Sequence, residues 1–153
     1  MKKFQPWFGL AARLIVGGVI FAAGYLKVGH IEKSQMAVRA YEILPISVAN
    51  FFGTILPFAE VAIGLLLILG AATRINALLS GGLMLLFIIA ITQAGLRGLS
   101  IDCGCFGGGG QVEPGQTKYL QEIARDTAIF ALALYLYRYP SSKFSLDKEP
   151  QAQ

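Results

Sequence analysis

The stretch Phe51–Ala94 reads FFGTILPFAEVAIGLLLILG, then AATR, then INALLSGGLMLLFIIAITQA. Two apolar runs of about 20 residues, each long enough to cross a bilayer core of roughly 30 Å as a helix, flank a tight turn at Ala71–Arg74. The first run, Phe51 to Gly70, carries one charge, Glu60, and one proline, Pro57; the second, Ile75 to Ala94, is uncharged. Neither shows a polar stripe at helical spacing, so both are apolar all round, as a lipid-facing helix requires.

The rest of the chain extends this pattern. Hydrophobic residues make up 55% and charged residues 14% of the 153, and the mean hydropathy is +0.59. A soluble domain of this size has too much surface to be so apolar. A further run, Trp7 to Val28, is interrupted by Arg13 and closed by Lys27. The fourth, Tyr119 to Tyr139, is the weakest, because Glu122, Arg125 and Asp126 crowd its first two turns. The expected fold is all-α: an integral membrane four-helix bundle with spans at 7–28, 51–70, 75–94 and 119–139 within a domain of residues 1–140. Between the first two spans, Met36, Val38, Tyr41, Ile43 and Leu44 alternate with charges and predict a short interfacial helix ended by Pro45. Residues 141–153 read as a polar, disordered tail. A cleaved leader is the weaker reading of the N-terminus, since Arg13 breaks the apolar run and Ala22-Ala23-Gly24 is an indifferent cleavage site.

Four crossings put both long connections, Gly29–Asn50 and Gly95–Lys118, on one face and both termini on the other. Lys2, Lys3, Arg13, Arg74, Arg138, Lys143 and Lys148 against Lys27, Lys33, Arg39, Arg97, Lys118 and Arg125 favour termini inside by a narrow margin. Trp7 and Tyr135, Tyr137 and Tyr139 resemble an inner aromatic belt. The small residues Gly18 and Ala22, and Ser80, Gly81 and Gly82, invite close helix packing, within the bundle or across a homodimer. Basic residues are scattered rather than clustered, so no nucleic-acid footprint is present.

The chemistry concentrates in Asp102-Cys103-Gly104-Cys105-Phe106-Gly107, just beyond the Ile75–Ala94 run. Two cysteines are too few for a zinc site, and no metal is expected. An inert pair, or a bridge that stiffens a loop, is one reading. The other is thiol–disulfide exchange: glycines let the loop expose sulfur, a one-residue ring strains its disulfide, and so short a bridge removes little chain entropy. Asp102 disfavours a thiolate at Cys103, which makes Cys105 the expected nucleophile and Cys103 the resolving sulfur; Arg97, a few residues upstream, would offset the carboxylate.

Glu60 is the second anomaly, since a carboxylate at mid-membrane costs about 2.5–3.5 kcal/mol. At 1.5 Å per residue it lies about 13 Å below the outer surface, with Lys27 near that surface and Arg13 about 7 Å deeper. Either cation could pair with it. A structural ion pair and a proton-carrying or quinone-pocket group remain open alternatives. His30 is a candidate proton shuttle or quinone partner. Glu122, Arg125 and Asp126 are expected to form an ion-pair cluster under the cysteine loop.

Arg13-x3-Gly17-x3-Phe21-x2-Gly24-x2-Lys27, Leu56-Pro57-Phe58-x-Glu60-x3-Gly64 and Leu69-Gly70 resemble the DoxX-like four-helix membrane proteins. The cysteine stretch is similar to the MauE branch of that superfamily, and the resemblance covers residues 10–138. It implies a multi-pass bacterial inner-membrane protein associated with redox work and, for MauE, with methylamine utilisation and disulfide formation in a periplasmic dehydrogenase subunit. It assigns thiol chemistry to Cys103 and Cys105 and marks Arg13, Lys27 and Glu60 as family-pattern positions. The resulting expectation is a membrane thiol–disulfide oxidoreductase that exchanges with a periplasmic thioredoxin-like partner or client, with a membrane quinone as electron partner. A non-enzymatic anchor or assembly factor is the alternative, and a small transporter the third. No dinucleotide or haem motif is present.

Overall fold

A computed structural model describes residues 4–147; Lys2, Lys3 and Lys148, used in the charge comparison, and the final Gln-Ala-Gln lie outside the described residues. The described residues form five helices: α1 (Gln5–Val28), α2 (Ile31–Ala40), α3 (Ile46–Leu69), α4 (Thr73–Leu96) and α5 (Tyr119–Arg138). Two short strands, β1 (Ile101–Asp102) and β2 (Gly110–Gln111), pair antiparallel within the α4–α5 connection, a small addition to the all-α expectation.

Helices α1, α3 and α4 are each 24 residues long and contain 18-residue stretches of mean hydropathy 1.7, 2.2 and 2.2, sufficient by length and composition to cross a membrane. Their outward faces are apolar; Phe51, Phe58, Ile75, Leu86 and Ile89 are all exposed, as lipid-facing positions are. Helix α5 falls short of that standard, with Glu122, Arg125 and Asp126 in its first turns, so three of the four expected spans are helices long and apolar enough to cross.

Helix α1 packs along α3, and α4 along α5, with α1 touching α5 to join the pairs. Both pairs are antiparallel: Gly24 faces Pro57 and Gly17 faces Gly64, while Gly95 faces Tyr119 and Gly81 faces Ala133. The close approach in α1 runs through Gly17 and Gly24. Gly18 of the expected small-residue step meets nothing, because it points off the α3-facing stripe. Ala12, Val16, Ile20, Leu67, Met84 and Ile129 are among the core residues between the four long helices.

Pro45 fixes the start of α3, and Gly70 ends it in the left-handed conformation (φ 71°). The Gly70 and Ala71 N–H groups bond back to Leu67 and Leu66, closing a Schellman turn. Helix α4 begins with no local cap. Its first N–H groups, those of Ala72 and Thr73, donate to the carboxylate of Asp147, both at 2.6 Å. Ser145 Oγ also donates to the Gly70 carbonyl at 2.8 Å. Of the tail expected to be disordered, the described part, 141–147, is therefore pinned through Asp147, since it supplies hydrogen bonds that helix ends otherwise lack.

Both long connections lie at the same end of the bundle. Helix α2, in the stretch expected to hold an interfacial helix, packs its small buried side, Ser34, Ala37 and Ala40, onto α3 and the β1–β2 ribbon. Tyr41, Ile91, Ala94, Ile101, Cys103 and Cys105 form a second apolar cluster there.

Candidate functional site

The cysteine loop is shaped by its own backbone. The Asp102 carboxylate accepts from the Gly104 N–H at 2.9 Å, an Asx turn that reverses the chain with Gly104 at φ +70°. A Cβ at Gly104 or Gly109 would collide with the Ala37 methyl, so the loop lies flat against α2. Tyr41 at the end of α2 donates its hydroxyl to the Cys103 carbonyl at 3.2 Å. Its own carbonyl accepts from Arg97 at 3.0 Å. Burial first, then the neighbouring sulfurs and acids, holds the Tyr41 phenol far above its usual range, so it stays a donor.

Both cysteines are free thiols, 7% and 6% exposed. This corrects the expectation of exposed sulfur: the glycines bring the loop close to α2 instead of lifting it into solvent. The two sulfurs differ. Cys103 Sγ receives the Cys105 N–H at 3.2 Å and lies 4.0 Å from the Arg125 guanidinium. A backbone donor and a cation thus face this sulfur, with the Asp102 and Glu122 carboxylates also close by. Cys105 turns inward to a small cavity shared with Glu60, Met84, Phe87 and Asp126. A hydrogen bond with Cys103, then burial, pushes its thiol well above the ordinary range, while Arg125 pulls weakly the other way. Asp102 spends one carboxylate oxygen on the turn, and the Arg125 cation stands beside Cys103.

Arg125 organises the floor of the site. It pairs with Asp126 at 2.8 Å and covers the Phe106 ring at 4.8 Å. Asp126 is 2% exposed, and its Oδ2 has no hydrogen-bond partner. The nearby carboxylate of Glu122, the Cys103 sulfur and the Asp102 carboxylate lie within 4.8 Å of one another. One soft and two hard donors could hold a cation only with ligands from outside.

Glu60 is held by Lys27, whose Nζ donates to both carboxylate oxygens at 2.8 Å and lies 5.5 Å from the Phe87 ring centre. Helical side chains tilt toward the helix N-terminus. Lys27 therefore leans down to the depth of Glu60, while Arg13 leans away from it. Arg13 instead bonds Ser142 Oγ at 2.7 Å and the Phe144 carbonyl at 3.2 Å at the opposite end. His30 is exposed at the start of α2, with no side-chain cap bond. The structure thus brings together Cys103, Cys105, Asp102, Lys27 and Glu60, and leaves Arg13 and His30 outside. Tyr41 and Ala37 were not singled out as site residues; only their amphipathic helix was legible.

A family model described as Methylamine utilisation protein MauE matches residues 5–138. The Methylamine utilization protein MauE of Paracoccus denitrificans is 31% identical over 106 residues, 69% of this chain and 57% of that protein. The protein of the same description from Methylorubrum extorquens is 38% identical over 92 residues, 60% of this chain and 50% of that one. The matched stretches thus span about half the length of these relatives. No solved structure matches.

Proposed function

The chain belongs to the MauE family, and from that premise we propose that it is a multi-pass membrane thiol–disulfide exchange protein. Cys103 is the attacking sulfur and Cys105 the resolving one. The observation that carries this reading is the asymmetric setting of two equally buried thiols: Arg125 and the Cys105 N–H converge on Cys103 Sγ, while Cys105 lines the inner cavity. In this reading α5 is the fourth crossing. It returns antiparallel along α4, and its charged first turns meet the cysteine loop. The termini are cytoplasmic, and the loop faces the periplasm of a bacterial inner membrane.

The partner is a thioredoxin-like protein or client presenting a disulfide or dithiol. The relatives are described as methylamine utilisation proteins, and on this reading the client would serve that process. A membrane quinone would have to act from the lipid-facing surface, because both Glu60 oxygens are engaged by Lys27. The cavity beside them, about 10 Å³, has room for about one water.

Exchange requires the loop to lift from Ala37, since both sulfurs are covered. That cover also favours a second reading, a membrane anchor or assembly factor whose thiols stay reduced. Thiol-alkylation gel shifts across a dithiothreitol/disulfide series separate the two. A reversible one-disulfide transition that Cys103→Ser abolishes is the expected result. Thiols that never pair would overturn exchange and leave the assembly role.

A further inference from the structure

The cavity under the cysteine loop joins two groups. On one side is the inward-turned Cys105 thiol; on the other is Asp126. Arg125 fixes Asp126 Oδ1 through two bonds of 2.8 and 2.9 Å, and Oδ2 is buried without a hydrogen-bond partner. An unpaired buried acceptor carries a desolvation cost, so a role that needs it is favoured over one that merely tolerates it. The space between, about 10 Å³, is that of one water molecule.

The geometry points to Asp126 as the proton acceptor for Cys105, through a single water in this cavity. The inference rests on the exchange reading. The Cys103 thiolate attacks one sulfur of a partner disulfide; a mixed disulfide forms and the other partner sulfur leaves as thiolate. Cys105 then gives its proton through the water to Asp126, and its thiolate attacks Cys103 Sγ. The Cys103–Cys105 bond forms, and the second partner sulfur leaves as thiolate. Two electrons pass from the cysteine pair to the partner disulfide. The Cys105 proton rests on Asp126 until solvent takes it; in reverse, Asp126 returns it as the bridge opens.

A base is required because the surroundings of Cys105 keep its thiol protonated. The charged and titratable groups around Asp126 are Arg125 on its own helix, Lys27 on α1, and Cys105 and Tyr41 at the loop, with Glu60 of α3 lining the same cavity. Helix α4 presents Met84 and Phe87 to the cavity. Of the two carboxylates that line the cavity, Glu60 has both oxygens engaged by Lys27, which leaves Asp126 Oδ2; Glu122 Oε2, also buried without a partner, is not part of that lining.

The test uses the full chain, reduced and in detergent micelles, mixed with excess symmetrical aromatic disulfide in a stopped-flow instrument. The first coloured thiolate reports attack by Cys103, and the second reports closure by Cys105. Asp126→Asn keeps the size of the side chain and an acceptor for Arg125. It should slow the second phase about a hundredfold at neutral pH, make it proportional to hydroxide, and leave the first phase within about twofold. Asp126→Glu should restore part of the second phase. A second phase of unchanged rate and pH profile in Asp126→Asn overturns the inference. If both phases slow together, time-resolved infrared on the unsubstituted protein decides. A protonated-carboxyl band gained as the bridge closes supports the inference, and its absence overturns it. If the unsubstituted protein releases no second thiolate, exchange through this pair falls and takes the inference with it; losing only the Asp126 effect leaves exchange standing.

Discussion

Replacing Gly24 by alanine places a methyl group against the backbone of a neighbouring helix. The new Cβ would lie 2.7 Å from the Pro57 carbonyl oxygen, 2.7 Å from the Val61 nitrogen and 2.8 Å from Glu60 Cβ. Ordinary contact begins near 3.4 Å, so α1 and α3 must part by about 0.7 Å, enough to forfeit a quarter to a half of the dispersion energy of each contact they share there. Rigid backbone cannot give way as a side-chain tip can, so the expected cost is about 1–3 kcal/mol. Gly18→Ala is the internal control. Its Cβ meets nothing within 4 Å, and exchanging a helical glycine for alanine there should be neutral or stabilising by up to about 1 kcal/mol. Reversible unfolding of both variants in mixed micelles, followed by far-ultraviolet circular dichroism, measures the difference. Gly24→Ala should also loosen the Lys27–Glu60 pair, which spans the same two helices. If Gly24→Ala proves as stable as Gly18→Ala, the α1–α3 packing described here is wrong.

The buried pair invites a double-mutant cycle. Lys27→Met and Glu60→Leu should each cost about 3–5 kcal/mol by stranding the other charge, while the double variant recovers most of the loss; additive losses measured by the same unfolding assay would contradict the pairing. Arg125→Leu removes the cation nearest Cys103. In a Cys105→Ser background it should slow alkylation of Cys103 at least about fivefold, since charges 4 Å apart are worth about 1 kcal/mol in water and more in a covered site, and an unchanged rate would dismiss Arg125 as an activator. At the other end, burial works to raise the Asp147 carboxyl, but bonds from Thr73 and Ala72 and the charge of Arg13 outweigh it and hold it below its ordinary range. The stability it contributes is therefore complete above about pH 4 and lost as pH falls through the lower folded-state value. Asp147→Ala should mimic that loss at neutral pH as faster tryptic cleavage at Lys143, and unchanged cleavage would mean that the cap does not hold the tail.

The α3–α4 hairpin was legible because its signal is local: two charge-poor runs and a turn too short to do anything else. The depth of Glu60 was also legible, but not its partner. Counting residues left Lys27 and Arg13 both within reach, and only the tilt of helical side chains within the antiparallel α1–α3 register separates them. The cysteine pair announced itself by spacing, whereas its setting did not. Tyr41 lies 62 residues from the carbonyl it bonds, and Arg125 lies 22 residues from the sulfur it faces. Likewise, a helix start capped from 75 residues away leaves no mark in the sequence around Ala72, and the polar character of the tail suggested disorder when its polarity is what docks it.

The clearance between Ala37 and the loop glycines has a practical consequence. Gly104 and Gly109 lie against one methyl group, so the thickness of the side chain at position 37 sets how tightly the thiols are shut in. Serine there would barely disturb the fit; valine or leucine would act as a doorstop of graded width, holding the sulfurs ajar without altering either one. A series at this position converts an all-or-none question about access into a ruler, on which the speed of thiol capture is read against ångströms of forced opening.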